Sequence, residues 1–245
     1  MQLAFVLVES GPHPSPDSIV SAASKLGVDL TFTSFDGEGP MAFSLPGGEQ
    51  VMYMRMPAPH PDAERMIGVF SPDSDELAKS KAHYVVMAPD GDGDLGAREL
   101  DLAAYTAALV DACPDAIAAA LGHGATFLHA KLFRDFAELG VSEGFLPAEI
   151  AISLTAAMEP DDRMSFLTHG MQRFGREELY VTAPMRGTGA LDFTLGLMRW
   201  LYYERDKQLP TGDTVGRTED ERIVVQRVPS PLGEGPEVIR LDLPS

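Results

Sequence analysis

The sequence predicts an α+β fold in which mixed, largely antiparallel sheets carry helices packed on them. Three observations predict it. Short apolar runs rich in β-formers are separated by Gly, Pro and Asp turn signals, as hairpins require. Segments of 3.6-residue periodicity are interspersed among them, so helices alternate with strands while hairpins dominate the sheet order. The 245 residues are 44% hydrophobic and 23% charged, a composition able to bury its own core.

Leu3 to Val8 reads as the first strand, closed by Ser-Gly-Pro-His-Pro. Ser15-Pro16-Asp17 then caps a helix reaching about Leu26, with Gly27 as its stop. Leu30 to Ser34, Met41 to Leu45 and Gln50 to Met56 are strands parted by Asp36-Gly-Glu-Gly and Pro46-Gly-Gly turns. The Pro-rich, charged stretch Pro57 to Lys81 holds one or two short helices. A second cycle opens with the strand His83 to Ala88. Its helix, Arg98 to Ala112, sets Leu102, Tyr105 and Leu109 on one face, ends at Cys113-Pro114 and yields to Ala116 to Leu121 and Ala125 to Leu128. The cycles read βαβββ and βαββ, so one reading is a degenerate duplication of a βαββ unit.

A helix from His129 to Leu139 leads to a strand from Glu149 to Ala157. The last third reads as helix Asp161 to Phe174, strand Glu178 to Thr182, helix Thr188 to Tyr203, and strands near Asp213 to Gly216, Arg222 to Val228 and Glu237 to Leu243. The helix Thr188 to Tyr203 is expected at the buried centre, because Leu191, Leu195, Leu197, Met198, Trp200 and Leu201 cover nearly its whole circumference. The chain is expected to form one unit over residues 1–245, with sub-halves 1–81 and 82–245 as the alternative division.

With 37 acidic against 19 basic residues the formal charge is -18, a field that repels phosphate backbones. Nucleic acid and anionic membranes are therefore excluded as partners, and a basic protein is the partner class the charge favours. The single cysteine, Cys113, allows no intramolecular disulfide, and Met1 to Glu9 has no positive charge before its short apolar run. Both features lead to the expectation of a cytoplasmic location.

The segment Leu167-Thr-His-Gly-Met-Gln-Arg-Phe-Gly-Arg-Glu-Glu-Leu179, with Gly212-Asp-Thr-Val-Gly216 and the opening Phe5-Val-Leu-Val-Glu9, resembles the bacterial family called domain of unknown function 4261. The likeness covers most of the chain and is most specific in the Thr-His-Gly to Phe-Gly to Glu block. It implies the fold and a bacterial origin, and carries no activity.

The candidate binding residues are Thr168, His169, Gly170, Glu177, Asp213 and Thr214. Read as helical, their first block turns Met164, Leu167, Met171 and Phe174 to the core and His169 away from it. Gly170 inside a helix costs ~1 kcal/mol relative to alanine, which implies close packing of another backbone or of a ligand. Gly175 stops that helix, with Asp161 or Asp162 capping its start. Asp213 is expected to accept backbone amides in an Asx-type turn after Gly212.

Other motifs have structural readings. Asp90-Gly-Asp-Gly-Asp94 with Asp101 has the spacing of an EF-hand loop, but Leu95 stands where that loop needs glycine, so an acidic helix start accounts for it. Arg186-Gly187-Thr188-Gly189 is an incomplete dinucleotide fingerprint with Asp192 in place of the third glycine, which leaves Thr188 as an N-cap. Met52, Met54 and Met56 share one strand face, with His60 following, and read as core filler rather than a copper site.

There is no Gly-x-Ser-x-Gly elbow and no helical H-x-x-x-H pair, and Cys113 lacks a positive environment. No catalytic residue, cofactor or metal is assigned. The expectation is a non-catalytic binding or accessory protein of immunity type. The alternative is a small-molecule enzyme or sensor with its site near Thr168, His169, Glu177 and Asp213.

Overall fold

A computed structural model describes residues 1–245 except Glu38, Asp92, Asp161, Arg186 to Thr188, Glu234 and Ser245. It divides into two units, Met1–Ala151 and Ile152–Ser245.

The first unit contains β1 (Gln2–Val8), α1 (Pro16–Lys25), β2 (Thr31–Ser34), β3 (Met41–Ser44), β4 (Gln50–Met56), α2 (Ser74–Leu77), β5 (Ala82–Ala88), α3 (Leu95–Ala112), β6 (Ala116–Leu121), β7 (Leu128–His129), α4 (Ala130–Glu143) and α5 (Ala148–Ala151). Its strands form one sheet in the order β2-β3-β4-β5-β1-β6-β7, with antiparallel pairing throughout. Ala4, Val6 and Val8 alternate with Leu7 along β1, so both sheet faces receive apolar side chains. One face lies under α3, which also packs between α1 and α4. Asp94 starts α3 by accepting the Ala97 amide at 2.9 Å, and the helix is buried without interruption from Leu102 to Val110. Ala103, Ala104, Ala107 and Ala108 let neighbours approach it from several sides. The opposite face of Leu7, Ala118 and Ala120 is covered by Ala63, Met66, Leu77 and Phe127.

A division at residues 81 and 82 would cut this sheet, because β1 bonds to both β5 and β6. The structure divides between Ala151 and Ile152.

The second unit contains β8 (Ser153–Glu159), β9 (Arg163–His169), a short 3-10 turn (Met171–Phe174), β10 (Leu179–Pro184), α6 (Ala190–Tyr203), β11 (Thr214–Val215), β12 (Ile223–Val224), β13 (Gln226–Val228) and β14 (Val238–Asp242). Five strands are ordered β13-β14-β10-β9-β8, with β10 and β14 parallel and the other neighbours antiparallel. β11 and β12 form a separate antiparallel ribbon, and α6 packs on β9 and β10. The fold is α+β, as expected, with largely antiparallel sheets. Among the described residues no helix is long and apolar enough to cross a membrane.

Three expectations change here. The helix read over Asp161 to Phe174 is a strand followed by the 3-10 turn. Pro160 and Asp162, the latter at φ 55°, turn the chain so that β8 and β9 pair from Ser153 with His169 to Glu159 with Arg163. A register of seven pairs outweighs the helical period of four apolar residues. The strand read from Glu149 begins at Ser153, because Pro147 starts a helical turn whose Ile150 and Ala151 amides return to its carbonyl. Finally, α6 buries only one side, Ala190, Thr194, Leu195, Leu197, Met198 and Leu201, and leaves Trp200 38% exposed.

Candidate functional site

The Thr-His-Gly block ends β9 rather than lying on a helix, and the structure ties two of its residues to Glu178. Thr168, fully buried, donates its hydroxyl to Glu178 Oε2 at 2.7 Å and accepts the Leu179 amide at 2.7 Å. Glu178 Oε1 accepts the Gly170 amide at 2.8 Å and the Gln172 amide at 3.4 Å. Gly170 holds φ 110°, a left-handed value that explains the glycine better than close packing within a helix. Burial raises the Glu178 pKa, against the Thr168 hydroxyl and the Gly170, Gln172 and Met171 amides, which favour the ionised form. Both carboxylate oxygens are occupied, so the cluster ties β9, the 3-10 turn and β10 together.

His169 does not point into open solvent. Its Nε2 lies 2.9 Å from Thr155 Oγ1 on β8, and burial lowers its pKa, which keeps the ring neutral at pH 7. Glu177 is on the surface instead, in a bidentate pair with Arg227 at 2.7 and 2.6 Å. Arg227 also donates to Thr211 at 2.6 Å. Asp213 is exposed and works through its backbone: its amide reaches Pro210 O and its carbonyl accepts the Val225 amide at 2.8 Å. The expected side-chain Asx turn is replaced by these bonds. Thr214 pairs with Val224 across the β11–β12 ribbon. Thr168 and Gly170 thus meet at Glu178, while Glu177 belongs to the Arg227 cluster and Asp213 and Thr214 to the ribbon. Sequence reading chose Glu177 and passed over Glu178, although the two stand side by side.

The remaining motifs resolve locally. Asp94 is the cap of α3 and Asp101 lies on that helix, where burial raises its pKa; Asp92 is outside the described residues. Arg186, Gly187 and Thr188 are outside them too, and Gly189 precedes α6. Asp161 is likewise outside. Met52, Met54 and Met56 share a face, opposite Met87, Val85 and His83 of β5.

Sequence reading missed a groove along the outer side of α6. Phe193, Gly196, Leu197 and Trp200 recur at helical spacing and line it, facing Val215, Gly216 and Arg217. Its volume is about 630 Å³, within the range of ligand-sized clefts. Asp192, exposed, and Arg217, held by Glu221 with Nε contacts of 3.0 Å, also line it. At Gly196 a Cβ would meet nothing within 4 Å. The signal in the sequence was this second stripe, adjoining Thr194, Met198 and Leu201 and sharing Leu197 with the buried side, and large enough to look like core.

Comparison with known proteins finds no matching family model, curated protein or solved structure.

Proposed function

We propose that this chain is a non-catalytic bacterial accessory protein of immunity type, cytoplasmic, that docks a basic protein partner and seats an apolar side chain of that partner in the α6 groove. The observation that carries the reading is the groove itself: an open apolar cleft bounded by Phe193, Leu197, Trp200 and Val215. Aromatic side chains at such a cleft supply most of the contact energy of a protein interface. The exposed Asp192 at its rim suits a lysine or arginine beside the inserted side chain. The charge of -18 steers such a partner inward. Membership of the family suggested by the Thr168-His169-Gly170 block belongs to this proposal and brings no activity with it.

Trp200 is the only tryptophan in the chain, so its fluorescence reports the groove without labelling. A short peptide combining Lys or Arg with Leu or Phe should shift its emission to the blue and saturate. An acidic peptide with the same apolar residues should bind at least tenfold more weakly. Equal binding of both peptides, or an emission indifferent to either, would sink the proposal. Retention of a stoichiometric small metabolite by the purified chain, with no peptide response, would put in its place the small-molecule reading around Thr168, His169, Glu177 and Asp213.

A further inference from the structure

The first unit carries 22 Asp and Glu against 8 Lys and Arg, yet one of those eight bases sits inward without a carboxylate. Arg55 occupies the alternation of Val51 and Tyr53 along β4, two positions whose side chains are buried. It is half-buried, and its Nε is shielded from solvent with no hydrogen-bond acceptor. Its one hydrogen bond is a long contact from Nη2 to the Gly11 carbonyl, 3.4 Å. No ion pair joins it to an acidic residue among the described residues. A guanidinium has five donors in a fixed fork, and a shielded donor left unmet costs ~1–3 kcal/mol.

What surrounds it is polar and pinned. Tyr84, on β5 directly across from Arg55, is buried and places its hydroxyl 3.4 Å from His13 Nδ1, a contact as long as that of Arg55. The Arg55 charge reaches both: burial raises the Tyr84 pKa with Arg55 opposing, and burial then Arg55 lower that of His13. Cys113 is buried beside them with its thiol pushed up to about 12, burial being the main cause. Asp115 is the nearby carboxylate in this group, and it is committed elsewhere. Its Oδ2 accepts the Ser10 amide at 3.1 Å and the Gly11 amide at 2.5 Å. A Cβ on Gly11 would come within 2.6 Å of that oxygen, so a larger residue would displace the carboxylate.

We propose that Arg55, Tyr84 and His13 form a binding site for a small monocarboxylate, whose two oxygens take the Nε and Nη2 edge of Arg55 in place of the Gly11 carbonyl. The edge matches a carboxylate in geometry, two parallel donors for two acceptors. Tyr84 and His13 provide the flanking polar contacts. One guanidinium, in a unit with nearly three acidic residues per basic one, favours a single negative charge over a doubly charged phosphate. The site lies wholly in the first unit and does not depend on the α6 groove.

Acetate is the probe. In the full-length protein labelled with nitrogen-15, the Arg55 Nε–H and Gly11 amide resonances are followed while acetate, chloride or phosphate is added at pH 7 and matched ionic strength. Acetate should give saturable shifts at both, with Kd of order 1 to 10 mM for so small a ligand. Phosphate should bind at least tenfold more weakly, and chloride should give no saturation. Arg55→Lys keeps the charge, loses the fork and should abolish saturation at Gly11. Tyr84→Phe should weaken acetate about fivefold, the equivalent of one hydrogen bond. The proposal is overturned if acetate gives no saturable shift up to about 100 mM, if phosphate or chloride acts as acetate does, or if Arg55→Lys binds unchanged. Should Arg55→Lys fail to fold, an unaltered acetate affinity in Tyr84→Phe overturns it.

Discussion

Helix α3 in the first unit and helix α6 in the second are both apolar enough to serve as core helices, but only α3 is enclosed. Nine successive residues of α3, Leu102 to Val110, are buried, against one side of α6. The difference is one of volume. The buried run of α3 includes four alanines, Ala103, Ala104, Ala107 and Ala108, so the sheet, α1 and α4 can all come close. On α6 the large side chains Trp200 and Tyr203 stay exposed, and its one extensive partner is the β9–β10 face. Total hydrophobicity says how much a helix could bury; side-chain size decides how many partners can reach it.

The largest expected effect tests this contrast directly. Leu109→Ala, at a fully buried position, should cost about 3–5 kcal/mol, and Leu195→Ala, 8% exposed, about 2–3, read from urea midpoints at constant slope. Equal losses would mean that α6 is as enclosed as α3. Thr168→Val strands the Glu178 carboxylate and the Leu179 amide and should cost about 1–3 kcal/mol.

Glu178 should also give the second unit a pH dependence of known sign. Its folded pKa is raised, so its contribution is fully present below the unfolded value of 4.5 and is lost as pH rises through the folded one. Glu178→Gln should therefore flatten the fall in stability of the wild type on going from pH 4 upward. A pH profile identical in the two proteins would contradict the burial of that carboxyl. Gly196→Leu fills open space on a helix and should stabilise by about 0.5–1 kcal/mol while abolishing peptide binding to the groove. The smallest effect is expected at Asp213: since its hydrogen bonds are backbone ones, Asp213→Ala and Asp213→Asn should both stay within about 0.5 kcal/mol. A larger loss for alanine alone would restore a side-chain role.

Strands and turns with local signals were legible. The Asp36 and Pro46 turns, the alternation of β4 and the Asp94 start of α3 are each set by residues within a few positions. The stretch Arg163 to His169 was not, because Met164 and Leu167, with Met171 beyond them, satisfy a helical period and show no strand alternation. Its state is chosen by pairing with β8 and β10, which no local window contains. The candidate block was legible as a cluster around Thr168, but its partner was misjudged by one residue. The two residues stand in the connection just before β10, where Glu178 turns in to Thr168 and Glu177 turns out to Arg227. The α6 groove was hidden by the same feature that builds it, aromatic residues that look like core.

The position of β14 has a consequence for how the protein is made. Every strand of the first sheet has been synthesised by His129, so that unit can begin to fold while the ribosome is still translating the second. The second sheet has to wait. β14, its last strand to emerge, is inserted between β13 and β10 and provides the parallel neighbour of β10. A nascent chain halted before Val238 leaves both strands with open edges, the kind of surface that recruits other chains. Interrupted translation should thus release a folded first unit joined to an adhesive second one, which makes the second unit the part that chaperones and proteases see.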